Sequence, residues 1–255
     1  GVVDRWVLSK LNQMLVRVDA AFEAFHFGNA TEHFQTFWIH CFCDFYLEST
    51  KVVDKSPDNP SFKTKQQVLF HVLLQCLRVL QPMMPFLTEE LFQKLPAFPG
   101  KSESICLEPF PAGEDKLNDP KAEQQFEQVL TFIRDIRALL GPLNLPSKHK
   151  PKLYLTFIED KDGELSDLLM EYKDFILMMT KTSSVEFASL EDLPKECLET
   201  VVFAKLKVNA LVKGFLDIDK EIKKTEKKIN GVSKQIEKMD RKMAMPDYSK
   251  NTPEA

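Results

Sequence analysis

The side chains able to do chemistry are scattered along this sequence rather than gathered. His26, His33 and His40 recur every seven residues, which sets them near one face of a helix. Two helical turns hold successive members about 10.5 Å apart, too far to share one metal ion. They read as ordinary polar positions, and no metal site is expected. Glu89 and Glu90 could serve acid–base work, but their place at an expected helix start accounts for them through the helix dipole. Glu48 is expected to form an ion pair with Arg5 or Arg78. Neither a phosphate-binding GxxxxGK[ST] or GxGxxG loop, nor a zinc-binding HExxH, nor a GxSxG nucleophile elbow occurs. No catalytic residue is therefore assigned.

Two other patterns suit nucleic acid. The first lies in Thr31–Lys51, TEHFQTFWIHCFCDFYLESTK. At about 100° per residue, Phe37, Trp38, Cys41 and Phe45 fall within roughly 60° of Phe34 and form a broad core stripe. Thr36, His40 and Thr50 occupy the far side, but so do Cys43 and Leu47, one turn apart. Either a second helix layer covers this apolar pair, or the pair floors a shallow pocket for something flat, such as a nucleobase. The second pattern is the run Lys220–Lys242. It holds nine Lys/Arg against four Asp/Glu, a local +5 in a chain of net charge −4. Lys223, Lys224, Lys227, Lys228, Lys234, Lys238, Arg241 and Lys242 are the candidates for phosphate contact, against the plainer reading of a solvated helix face.

The elements that must position these residues are mostly helices. A first helix, with Asp4 as N-cap, runs to about Ala24 with Trp6, Leu11, Leu15, Val18 and Phe22 on one stripe. The aromatic helix follows. A third helix carries Val68, Val72, Leu73, Cys76 and Leu80, and a fourth, opened by Thr88 with Glu89 and Glu90, ends at Leu95. Asp119-Pro120 starts a fifth through Phe126, Val129, Leu130, Ile133, Ile136 and Leu140. The fold class is mainly α: an antiparallel bundle over 1–146, then a small α+β unit over 147–213. That unit pairs strands at Leu153–Ile158, Ser184–Ala188, Val201–Leu206 and Val208–Val212 with a helix at Asp167–Met179. From 214 to 255 an unbroken 3–4 repeat marks a coiled-coil arm, with Phe215, Ile222, Ile229, Ile236 and Met243 at a and Ile218, Thr225, Val232 and Met239 at d. Such a strand needs a partner, so the arm is expected to stop short of a return helix. The opening GVVDRW, without Met, suggests a segment of a longer protein.

The five cysteines, Cys41, Cys43, Cys76, Cys106 and Cys197, are odd in number and lack CxxC spacing. They are expected to be free thiols in a reducing, cytoplasmic setting. No membrane span or signal peptide is visible.

Three motifs then carry a family resemblance: DRWVLSKLN at Asp4–Asn12, FCDFYLESTK at Phe42–Lys51 and LRVLQPMMPFLTEELFQKLP at Leu77–Pro96. Together they resemble the anticodon-binding helical domain of class Ia aminoacyl-tRNA synthetases. The CD-x-YLE-x-x-K and P-x-MPF-x-TEEL forms, followed by a small junction unit and a coiled coil after GFLDIDKEI, are most similar to the valyl-tRNA synthetases.

The resemblance implies that the bundle binds the anticodon stem-loop of valine tRNA and that the coiled coil leans on the tRNA corner. It implies that the pocket for the middle anticodon base is formed partly at Cys43 and Leu47. The rest of that pocket comes, in the family, from an Asn-Lys-x-Trp-Asn-type helix not found here. HIGH- and KMSKS-type signatures are absent too. ATP and Mg would accordingly belong to a catalytic domain elsewhere, and no cofactor is assigned to this chain. A multi-synthetase or elongation-factor complex could supply a coiled-coil partner. The alternative from a different class is a protein-interaction module that dimerises through its coiled coil.

Overall fold

The structure, a computed structural model, describes residues 1–56, 58–143, 145–146, 149–158, 163–189, 193–194, 197–212 and 218–243. It is mainly helical with one small four-stranded sheet. The chain divides into two compact units. One holds Gly1–Arg134 together with the helices between 163 and 180; the other takes the chain from Asp135, the strands and the C-terminal helix. This partition cuts across the expected boundary at 146, because the helices of the junction region side with the bundle.

In the first unit, α1 spans Val2–Glu23 and buries Trp6, Leu11, Leu15 and Val18 as the periodicity requires, while Phe22 of the expected stripe is only half-buried. Asp4 is not its N-cap. It lies inside the first turn and accepts a hydrogen bond from the Gly1 backbone nitrogen at 2.9 Å. α2 covers Phe27–Gln35, and Phe25, in the turn before it, takes φ 58°. A π-helix continues over Thr36–Tyr46 and relaxes into a short α3 at Leu47–Ser49.

α4, Pro60–Leu80, is capped by Asn59, whose side chain accepts from Ser61 N at 3.0 Å. Proline at the first helical position has no amide hydrogen to leave unpaired there. α5 begins at Pro85 rather than at Thr88 and runs to Lys94. Thr88 is therefore buried within the helix, and Glu89 reaches out of it to accept from Ser104 Oγ at 2.8 Å and Ile105 N at 2.9 Å. Leu74, Leu77, Phe92 and Ile105 form the core between α4 and α5.

α6, Pro120–Leu140, is capped as expected by Asp119, which accepts from Ala122 N at 2.9 Å. All six of its expected core positions are buried. Glu123 at its start accepts from Lys10 at 2.9 Å and Gln13 at 2.8 Å, and fastens α6 to α1. The expected single helix at Asp167–Met179 is two, α7 (Gly163–Glu171) and α8 (Lys173–Thr180). Phe126 packs at once against Trp6 (4.7 Å between centroids), Tyr172 (5.7 Å) and Phe175 (6.0 Å).

In the second unit the strands are β1 (Lys152–Phe157), β2 (Ser184–Phe187), β3 (Cys197–Val202) and β4 (Leu206–Leu211), in the order β2-β1-β4-β3. β1 and β2 run parallel, with Leu153 opposite Val185; the other pairs are antiparallel. The last two strands sit earlier than expected because the hairpin turns at Phe203 and Ala204, both at φ 56°. α9, Ile218–Met243, completes this unit. Phe215, counted in the heptad pattern, and the MPDYSKNTPEA segment lie outside the described residues, as do the side chains of Ile218, Ile222 and Thr225.

Candidate nucleic-acid interface

The helix that carries the candidate pair does not follow an α-helical wheel. A π-helix closes i→i+5 hydrogen bonds, so each residue turns through a smaller angle than in an α-helix and the buried stripe drifts away from the one an α-helical wheel gives. Phe37 and Phe42, five apart, are buried, and Tyr46 four residues later is fully buried; Trp38, Cys41 and Phe45 are only half-buried. The expected stripe of Phe34, Phe37, Trp38, Cys41 and Phe45 is thus corrected to Phe34, Phe37, Phe42 and Tyr46. Five aromatic rings lie in this segment. Four rings from α2 onward form a ladder: Phe34 to Trp38 at 5.9 Å, Trp38 to Phe42 at 5.0 Å and Phe42 to Tyr46 at 6.1 Å.

Three elements meet at the end of this ladder. Tyr46 OH donates to Asp4 Oδ1 of α1 at 2.8 Å. Lys65 of α4 donates to the same oxygen at 2.9 Å, and its ammonium stands 4.9 Å from the Tyr46 ring centroid. Ser49 Oγ donates to the Tyr46 carbonyl at 2.7 Å where the π-helix gives way to α3. Only 6% of Asp4 and 6% of Lys65 is exposed. Tyr46 belongs to the FCDFYLESTK motif, but nothing in the sequence pattern marks Lys65, a buried lysine among α4 positions that read as polar.

Burial alone would raise the Asp4 carboxyl, but the Lys65 ammonium and the hydrogen bonds from Gly1, Lys65 and Tyr46 hold it below its ordinary value of 3.8. A carboxyl that is more acidic in the folded chain than in the unfolded one stabilises the fold above the unfolded value. That contribution is lost as pH falls through the folded value. Acid unfolding followed by circular dichroism should therefore show Asp4→Asn losing less stability than the parent below about pH 4. Equal slopes would exclude Asp4 as a source of the acid sensitivity.

Cys43 and Leu47 are both half-exposed, one turn apart on this segment. Cys43 lies toward Cys76 of α4, whose thiol is pushed up by burial and by Cys43. Cys41 lies on the other side, in a cleft of about 240 Å³ with Lys10, Arg17, His33 and Glu127, and burial pushes its thiol up to about 11. The two thiols thus diverge, as their spacing suggests. Glu48 pairs with Lys51 on its own helix end, whereas Arg5 pairs with Asp119 and Arg78 with Glu108; the expected Glu48–Arg5 or Glu48–Arg78 bridge does not form. His40 pairs with Asp44 at 3.2 Å. Among the described residues no group of three His, Cys, Asp or Glu is placed to hold a metal ion, and no helix is long and apolar enough to cross a membrane.

On α9, Lys227, Lys234, Lys238 and Arg241 are exposed. Lys227, Lys234 and Arg241 follow at seven-residue intervals, about 10.5 Å apart, along the face opposite the apolar seam. That seam is also open: Ile229, Val232, Ile236, Met239 and Met243 are 53–64% exposed. Lys223, Lys224, Lys228 and Lys242 lie along the same helix, but their side chains fall outside the described residues.

Residues 4–155 match the anticodon-binding domain of tRNA ligase. The chain belongs to that family. Residues 217–255 match the valyl tRNA synthetase tRNA binding arm, so both parts appear in order on one chain. Similar proteins include a valine–tRNA ligase of Takifugu rubripes, 32% identical over 263 residues, and one of Thermotoga maritima, 30% identical over 257 residues. A third, from Oceanobacillus iheyensis, is 28% identical over 252 residues. Each alignment covers 99% of this chain but only 21–28% of the relative. The anticodon-binding family thus accounts for α1 to α6 and for the helix on which Cys43 and Leu47 stand, and the tRNA-binding arm match includes α9.

Proposed function

We propose that this chain holds tRNA for a valine–tRNA ligase whose ATP- and Mg-dependent chemistry resides in the remainder of that protein. The observation that carries the reading is the ordered pair of matches, anticodon-binding domain then tRNA-binding arm, on one chain. The helical unit reads the anticodon loop of valine tRNA, with Cys43 and Leu47 as part of the surface for its middle base; both are accessible enough to touch a ligand. α9 contacts the tRNA backbone with its lysines and Arg241, of which Lys227, Lys234, Lys238 and Arg241 project a positive stripe into solvent. The setting is the cytoplasm. By orienting the tRNA, the chain brings its acceptor end to the active site and takes no chemical step itself.

Charge reversal tests the arm. Changing Lys223, Lys224, Lys227 and Lys228 together to Glu should weaken tRNA binding at least tenfold. It should also flatten the dependence of log K on log salt by roughly one unit for each phosphate that a lysine no longer neutralises. Unchanged affinity and slope would reduce the basic stripe to a solvated face.

The open seam from Ile229 to Met243 favours a second reading, a coiled-coil handle for a partner such as a multi-synthetase or elongation-factor complex, or for a second copy. Sedimentation of the chain with and without tRNA separates the two. Concentration-dependent dimers that ignore tRNA would put the interaction module first.

A further inference from the structure

The π-helix between Thr36 and Tyr46 has to be held. Such helices are rare and mostly confined to single turns inside α-helices, so an 11-residue run needs surrounding contacts to fix it. The contacts that could do this converge on its last residue. The Tyr46 hydroxyl is tied to α1 through Asp4, its ring lies under the Lys65 ammonium of α4, and its carbonyl accepts from Ser49. Ahead of it, the Phe34, Trp38 and Phe42 rings continue the run of ring contacts along the helix. Cys43 stands three residues before this anchor and Leu47 one residue after it, so any change in where π gives way to α rotates both.

We propose that Asp4, Tyr46, Lys65 and Ser49 are positioning residues for base recognition, acting together as a lock that sets the rotational phase of the helix bearing Cys43 and Leu47. The inference rests on the reading above, that this helix faces the middle anticodon base. None of the four needs to touch the tRNA. Their effect is to stop the π-helix from rewinding, which would turn Cys43 and Leu47 away from the position a base can reach.

The test uses the full-length ligase that carries this region, with two probes: valine tRNA and a copy with its middle anticodon base changed. Tyr46→Phe keeps the ring and deletes only the hydroxyl. The ratio of the two affinities is expected to fall about tenfold, the equivalent of one hydrogen bond to a charged group, while binding of the changed tRNA stays constant. Ser49→Ala should act in the same direction more weakly, and it carries the test if Tyr46→Phe does not fold. A role confined to stability would lower both affinities equally or lower only the melting temperature, and that result overturns the proposal. So does full retention of the ratio in both folded variants. If the unaltered ligase shows no preference between the probes, the failure belongs to the base-reading assignment, and the positioning role falls with it.

Discussion

Lys65→Met is expected to lower the stability of the helical unit by about 3–5 kcal/mol, because it leaves the buried Asp4 carboxylate without its cation. Methionine fills nearly the same volume, so lost packing contributes little. Gly1 N and the Tyr46 hydroxyl would still donate to Asp4, but these hydrogen bonds do not replace the Lys65 cation beside a carboxylate that is only 6% exposed. The double variant Asp4→Asn/Lys65→Met should recover more than half of the loss, since removing both charges restores neutrality in the same space. Urea unfolding of the three proteins measures this. A single-variant loss below about 1 kcal/mol would mean that the pair is hydrated rather than buried.

Phe126→Ala should cost a similar amount, about 3–5 kcal/mol, for a different reason. The ring is fully buried and meets Trp6 of α1, Tyr172 between α7 and α8, and Phe175 of α8. Removing it opens a cavity where α1, α6 and the α7–α8 pair converge, and the large rings around it cannot collapse far enough to fill the space. The α7–α8 pair depends on this packing for its place in the unit, so its amides should exchange fastest in the variant. Phe126→Leu should lose roughly half as much. Uniform exchange across the unit would show that α7 and α8 are held elsewhere.

Helix periodicity made much of this fold legible. All six announced positions of α6 are buried, and its cap forms at Asp119 where Asp-Pro places it; Phe22 of α1 and Leu73 and Leu80 of α4 are only half-buried, and α4 buries Leu74, Leu77 and Val79 instead. The aromatic helix was misphased because an α-helical wheel assumes one angle per residue, and no residue type in 36–46 signals a π-helix. Cys43 and Leu47 lie away from the Phe37–Phe42–Tyr46 core on either count, and both are half-exposed. The β3–β4 hairpin was misplaced because its turn uses Phe203 and Ala204 at positive φ, where Asn or Gly would have marked it. Asp4 looked like a cap because its partners, Tyr46 and Lys65, are 42 and 61 residues away, and no local pattern reports a contact of that range. The seam of α9 was visible as heptads, but sequence cannot show whether such a seam is covered.

The π-helix also bears on how sequences of this family should be aligned. A helix with wider turns accommodates more residues between two fixed ends than an α-helix with the same number of turns. A homologue one residue shorter between Phe34 and Tyr46 could therefore keep both anchors by winding more tightly, with no loop to absorb the difference. An alignment that forbids gaps inside helices would push such a deletion out to the turn near His26 or beyond Thr50. Every column between would then shift, and the residues set against Cys43 and Leu47 would be the wrong ones. Matching Asp4, Tyr46 and Lys65 first, and letting the gap fall inside the helix, keeps those columns true.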